Sequence, residues 1–96
     1  MSPTAGCLGP TEAFKGTDLG DEYLFYDRQG ERVHVLNGTA REIYLLCNGS
    51  RSAEEVALEF AARYEAERDS ARRDALETLR ALLELGIVRA AAPGAD

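Results

Sequence analysis

The 96-residue sequence contains no tryptophan, one histidine and two cysteines, and its 11 basic side chains are outnumbered by 17 acidic ones. Cys7 and Cys47 are too few for a disulfide scaffold, and the absence of a Cys-x-x-Cys motif argues against structural zinc. A single histidine, His34, excludes a multi-histidine metal site. The net charge of −6 argues against non-specific nucleic-acid binding, which needs many contacts from basic side chains to phosphate.

Long apolar runs are also missing. No stretch approaches the roughly 18 consecutive apolar residues of a transmembrane helix, and the first residues lack the basic and apolar regions of a secretory signal. We therefore expect a cytoplasmic protein that does not bind membranes. The glycines form neither a G-x-G-x-x-G nor a G-x-x-x-x-G-K-[ST] phosphate loop. Because catalytic patterns are so scarce, we expect no enzyme activity, no catalytic residues, no cofactor and no metal.

Glycine and proline are concentrated near the start of the chain, where Pro3 and Pro10 lie. This composition predicts a flexible N-terminal tail over residues 1–12, because such a segment buries little apolar surface. The alanine-rich end predicts a second flexible tail over residues 90–96. One packed domain is expected between them, over residues 13–89.

The domain is predicted to start with a β-hairpin. Glu22 to Asp27 is rich in β-prone aromatic residues, Arg28 to Glu31 has turn composition, and Arg32 to Leu36 alternates polar and apolar residues. The stretch Ala13 to Leu19 is a weak candidate for an earlier strand, which Gly16 leaves undecided. A hairpin alone is marginal in water, so helices must cover it.

Three helices are predicted after the hairpin. Thr39 to Glu42 and Ser52 to Glu55 both match capping boxes, which mark helix starts. The third helix is expected from Ala71 to Leu85, ended by Gly86. The predicted fold is therefore α+β and winged-helix-like, with a small antiparallel sheet of two to three strands followed by three helices.

The third predicted helix has an apolar stripe wider than a surface helix needs. Two interpretations are open and compatible with each other: the helix is central and covered on two sides by its own domain, and one edge of its stripe lines a groove for a partner. The strand Arg32 to Leu36 offers a second candidate surface, because an extended peptide can add to an open sheet edge as a further strand. His34 is expected to be exposed or interfacial, and Cys47 to be a buried, inert thiol.

Three segments of the chain, which follow one another in the sequence, resemble patterns of the PqqD-like proteins. The run Val33 to Gly49 resembles the family pattern of a strand ending in Leu-Asn, then a small residue and Ala, an apolar helix, and an Asp-Gly or Asn-Gly stop. Arg51 to Ala57 is similar to the family's next helix start. Asp74-Ala75-Leu76, with Leu79, Leu82 and Gly86-Ile87-Val88, is similar to its closing pattern. Ala75 and Thr78 stand where the family often has larger apolar groups, which either widens a groove or repacks the core.

This resemblance implies a three-stranded sheet packed on three helices, and a module that recognises the leader segment of a ribosomally made precursor peptide. The leader would add beside the third strand and lie against the third helix, and a maturation enzyme would act on the rest of the precursor. A radical SAM enzyme or a leader peptidase would fit that role. The residues implied for peptide binding are Arg32, Val33, His34, Val35, Leu36, Asp74, Ala75, Thr78, Leu79 and Leu82, with pairing through the backbones of residues 32 to 35.

Two other functions stay open. The open edge strand is compatible with a protein–protein adaptor or a homodimer that binds no leader. A winged-helix DNA-binding protein shares the architecture. Its recognition helix should be basic, however, and here Arg72 and Arg73 are offset by Asp74 and Glu77.

Overall fold

A computed structural model describes residues 6–11, 14–27 and 32–91 of the chain. Its helices are α1 (Gly38–Leu45), α2 (Ala53–Ala61) and α3 (Arg68–Leu85), the last preceded by a 3-10 turn, Glu65–Glu67. Its strands are β1 (Cys7–Pro10), β2 (Phe14–Asp18), β3 (Tyr23–Asp27), β4 (Val33–Leu36), β5 (Arg51–Ser52) and β6 (Val88–Ala91).

The strands form two antiparallel sheets of three strands each. The terminal sheet has the order β5-β1-β6, and the meander sheet has the order β2-β3-β4. The predicted class, α+β with a small antiparallel sheet and three helices, is confirmed. The undecided stretch before Glu22 is a strand, β2, and the predicted turn at residues 28–31 lies outside the described residues.

The terminal sheet corrects the prediction of flexible tails. Within the segment expected to be a tail, Leu8 is 2% exposed and β1 is the central strand, paired from Cys7 opposite Ala91 to Pro10 opposite Val88. The predicted C-terminal tail likewise begins inside β6. Local composition could not show this, because the pairing joins opposite ends of the chain. Residues 1–5 and 92–96 lie outside the described residues.

Gly16 is required inside β2 rather than being incompatible with it. A Cβ atom at this position would lie 2.6 Å from Cε1 of Tyr23 and 3.2 Å from Cε1 of Phe25. The two rings stack at a centroid distance of 4.8 Å and occupy the space that a side chain at residue 16 would fill. Glycine thus marks a close approach of aromatic rings to the strand backbone.

The observed N-cap agrees with the predicted one at α2 and differs from it at α1. At α2 the predicted capping box is present: the Glu55 amide donates to the Ser52 hydroxyl, and the Ser52 amide donates to the Glu55 carboxylate. At α1 the predicted cap, Thr39, is wrong. The Asn37 side chain accepts from the Ala40 amide at 2.9 Å, because the helix begins at Gly38. Gly86, with φ of 81°, ends α3 as predicted.

The core lies where α3 packs against α1 and α2. Ile43 of α1, Val56 of α2 and Leu79 of α3 are all at most 1% exposed. The meander sheet joins this core through Tyr44, whose ring centroid lies 4.9 Å from those of Tyr23 and Phe25. One face of the meander sheet is therefore covered by α1.

A salt bridge also ties β2 to α1. Arg41 donates to both carboxylate oxygens of Asp18, at 2.7 and 2.9 Å. These bonds, together with one from the Gly20 amide, lower the pKa of Asp18 below its ordinary value. Because the pair is exposed, its contribution to stability is small.

We expect Asn37→Ala to lower the free energy of unfolding by about 1 kcal/mol, because it removes the side-chain acceptor at the start of α1. Thr39→Ala should change it by less than about 0.5 kcal/mol, since Thr39 is exposed and is not the cap. Urea titrations of both variants measure the difference. Equal losses would contradict the assignment of Asn37 as the cap.

Candidate functional site

The strand β4 lies at one edge of the meander sheet. It pairs with β3 on one side, and within the described part of the chain no strand pairs with it on the other. An edge strand carries a row of backbone donors and acceptors without a partner strand. The predicted edge for strand addition is thus an edge in the structure.

One hydrogen bond fixes which backbone groups of β4 point outward. The Asp27 amide donates to the Arg32 carbonyl at 3.0 Å, so these two residues form a hydrogen-bonded pair. In an antiparallel ladder such pairs alternate with non-hydrogen-bonded pairs. His34 and Leu36 therefore bond to β3, and the backbone groups of Val33 and Val35 face the open edge.

The opposite side of β3 gives an independent check. The Leu19 amide donates to the Glu22 carbonyl at 2.8 Å, so every second residue from Glu22 bonds toward β2. The remaining β3 residues, Tyr23, Phe25 and Asp27, then bond toward β4, as the first bond requires. This corrects one prediction: of the four backbones expected to pair with a peptide, those of Arg32 and His34 face β3 instead.

The side chains of β4 divide between the two faces of the sheet. His34 and Leu36 lie on the inner face; Leu36 is 8% exposed, and the His34 ring meets the Phe14 ring edge-on at a centroid distance of 5.5 Å. Val33 and Val35 lie on the outer face and are more than half exposed. Arg32, just before the strand, is exposed.

The Phe14 ring connects this strand to the end of α3. Its Cε2 atom lies 4.0 Å from the place that a Cβ on Gly86 would take. The same ring packs against His34. The inner face of β4 and the C-terminal end of α3 are therefore neighbours across one aromatic side chain.

The five predicted residues of α3 divide into core and surface. Ala75, Leu79 and Leu82 are 0%, 1% and 2% exposed, so they belong to the core and leave almost no surface for a peptide. Asp74 is exposed and Thr78 is half-buried. Since these two are one helical turn apart, they give a surface strip along one edge of the buried stripe.

A second concave surface lies on the opposite flank of α3, and the sequence did not single it out. This cleft of about 350 Å³ faces the start of α2. Its apolar lining comes from Ala53, Leu76, Leu79 and Leu83, and its charged rim from Arg73, Glu77 and Arg80. The wide apolar stripe of α3 was the available signal, but helical periodicity could not show which flank stays open.

Cys47 has the environment of a structural thiol. It is 3% exposed, and its Sγ donates to the Ile43 carbonyl at 3.4 Å. Burial raises its pKa to about 12, against a smaller lowering by Arg51. Since the thiolate is the reactive form, this position opposes nucleophilic chemistry.

Across residues 6–11, 14–27 and 32–91, no three His, Cys, Asp or Glu side chains are grouped to hold a metal ion. No helix among these residues is long and apolar enough to cross a membrane.

A comparison with protein-family models shows the family of this chain. The family model described as coenzyme PQQ synthesis protein D, PqqD, matches residues 22–88. The chain belongs to the PqqD family. The match runs from β3 to the first residue of β6, so β1 and β2 of this PqqD-family protein lie outside it. No curated protein matches the sequence.

Three solved structures resemble the PqqD-family chain in fold. TbiB1 in complex with the TbiA(beta) leader peptide is 22% identical with a TM-score of 0.69, covering 92% of this chain and 98% of that one. Lasso peptide synthetase B1 complexed with the leader peptide is 23% identical with a TM-score of 0.69, covering 84% and 95%. The heterocyclase TruD is 17% identical with a TM-score of 0.67; the match covers 95% of this chain but 12% of TruD.

We expect iodoacetamide at about pH 8.5, the ordinary thiol pKa, to alkylate Cys7 faster than Cys47 in the folded protein. Cys7 is partly exposed, whereas the pKa of Cys47, about 12, keeps it protonated there. Mass spectrometry of the peptide fragments measures both rates. Equal rates in denaturant are the control, and equal rates in the folded protein would contradict the structural assignment of Cys47.

Proposed function

We propose that this PqqD-family protein is a non-catalytic module that binds the leader segment of a ribosomally synthesised precursor peptide. The leader adds as a strand beside β4, and the module delivers the precursor to a modifying enzyme. The observation that carries the proposal is the open edge of β4, where the backbone groups of Val33 and Val35 face outward. The leader-peptide complexes of TbiB1 and lasso peptide synthetase B1, which share this fold, support it.

The binding mode follows from the geometry of the edge. Main-chain hydrogen bonds to Val33 and Val35 give affinity that does not depend on the peptide's sequence. Alternate side chains of the peptide then point to the inner side of the strand, beside His34 and Leu36. We propose that Asp74 and Thr78 of α3 border this inner groove.

The buried α3 residues have an indirect role in this scheme. Ala75, Leu79 and Leu82 pack into the core and hold α3 in place. Substituting them would weaken binding through the position of the helix. We therefore propose Asp74 and Thr78, and not these three, as the α3 groups that meet the peptide.

The partner enzyme is expected to carry the chemistry that this module lacks. A radical SAM enzyme and a leader peptidase are both compatible with the proposal. TruD, in which a similar fold makes up 12% of a heterocyclase, supports an association between such a module and a modifying enzyme. We place this activity in the cytoplasm.

A homodimer formed through β4 is the second candidate function, because the same open edge can pair with a second copy. DNA binding by α3 is less well supported. Arg72, one of the basic residues of that helix, donates to both carboxylate oxygens of Glu54 at 2.9 Å. A guanidinium group that is paired with a carboxylate binds phosphate more weakly than a free one.

Val35→Pro and Val33→Pro should each weaken leader binding about fivefold or more, because each removes one outward amide worth about 1 kcal/mol. Both should leave the β3–β4 ladder intact, since proline is tolerated where the amide faces away from the sheet. The measurement is a titration of isotope-labelled protein, followed by backbone NMR shifts. The probe is the N-terminal half of a precursor peptide, chosen from the short open reading frames that neighbour this chain's gene.

His34→Pro is the matched control, because it removes an amide that bonds to β3 and should lower the free energy of unfolding. Wild-type shifts should concentrate in residues 32 to 36 and along α3. Unchanged affinity in folded Val33→Pro and Val35→Pro variants would refute strand addition at this edge. A concentration-dependent dimer that these two variants abolish, without any peptide shifts, would favour the homodimer.

A further inference from the structure

The outer face of the meander sheet changes from polar to apolar toward its open edge. On β2 this face carries Lys15 and Thr17, both exposed. On β3 and β4 it carries only apolar and aromatic groups. We call these four residues the outer apolar patch: Leu24, Tyr26, Val33 and Val35.

The patch is built of two cross-strand pairs. Leu24 lies opposite Val35, and Tyr26 lies opposite Val33. Both are non-hydrogen-bonded pairs in the register derived above, and in such pairs the side chains lie closest. The two valines are 53% and 54% exposed, and Tyr26 is 48% exposed.

An uncovered edge strand seldom carries exposed apolar side chains. Antiparallel sheets normally turn a polar face to water, and exposed edges normally carry charges that oppose pairing. Among the described strand residues of this face, the charged one, Lys15, lies on β2 at the opposite edge of the sheet. The apolar surface runs directly to the strand whose Val33 and Val35 backbone groups face outward.

We propose that the outer apolar patch forms the second half of the peptide-recognition surface. The occupant is an extended peptide with apolar β-branched or aromatic side chains at two positions separated by one residue. This inference rests on the proposed function, because it takes β4 as the edge at which the peptide adds.

The register of β4 determines which face of the sheet each side chain of an added peptide occupies. Residues directly opposite Val33 and Val35 share their face of the sheet, with Cβ atoms about 5 Å away. They extend the patch by one strand. The residue between them points to the inner side, toward His34. The recognised pattern is therefore apolar, any residue, apolar: the outer face reads the two apolar positions, and the middle residue points to the inner side.

The test uses display selection against the full chain, with a library of short random peptides as the probe. Selected peptides should carry the apolar, any, apolar pattern. Each should lose about fivefold or more in affinity for a Val33→Thr/Val35→Thr double variant, as expected when two apolar contacts are lost. Threonine keeps the shape and β-branching of valine, so the backbone edge is unchanged.

Two further variants separate the outcomes. Lys15→Thr changes the same face at the distant strand and should leave affinity unchanged. Val35→Pro removes an edge amide and should weaken every selected peptide. Peptides that respond to Val35→Pro but not to the threonine double variant, and that lack the pattern, would overturn the role of the patch while leaving strand addition in place.

A selection that yields no peptide sensitive to Val35→Pro would overturn both proposals. Loss of a dimer in the threonine variant, with no peptide selected, would assign the patch to a second copy of the chain instead. All variants are compared by thermal unfolding, so that a loss of affinity is counted only where the fold is retained.

Discussion

The hydrogen bond from the Asp27 amide to the Arg32 carbonyl determines what the open edge of β4 can do. It shows which residue pairs of the β3–β4 ladder are hydrogen-bonded, and therefore that the backbone groups of Val33 and Val35 point outward. A slip of one residue would turn His34 and Leu36 outward and place the two valines against the core. The whole edge, both backbone and side chains, depends on this register.

Packing on the inner face is what prevents that slip. Leu36 is buried, and the rings of Tyr23 and Phe25 stack on each other and meet Tyr44 of α1. A shifted β4 would lose the burial of Leu36. The aromatic cluster holds β3 in place against α1, and Gly16 makes room for its two rings from β2. Rigid positioning of β3 then fixes the edge that β4 presents.

The position of α3 relative to this edge depends on the terminal sheet. The Thr11 hydroxyl, just after β1, donates to the Gly86 carbonyl at 2.6 Å, and the Gly49 amide donates to the Leu8 carbonyl at 2.7 Å. These bonds connect β1 to the end of α3 and to the segment after α1. The terminal sheet lies mostly outside the PqqD match, yet it anchors the helix proposed to border the groove.

The features predicted from the sequence are those with local causes. The β3–β4 hairpin, the Ser52 capping box and the Gly86 helix stop each depend on residues within a few positions of one another. The pairing of β1 with β6 joins Cys7 to Ala91, and no short window of sequence contains it. The site shows the same division: alternation of polar and apolar residues predicted the strand β4, but the outward direction of its amides required the ladder.

Backbone recognition alone cannot distinguish one peptide from another, since every non-proline residue offers the same donor and acceptor. Selectivity must come from side chains on the two sides of the added strand. On the inner side, the proposed α3 groups are Asp74 and Thr78, and the exposed side chains of Ala81 and Leu85 continue the same flank of the helix toward its end. The outer apolar patch supplies apolar contacts on the other side, so the two faces together can select a sequence that neither could select alone.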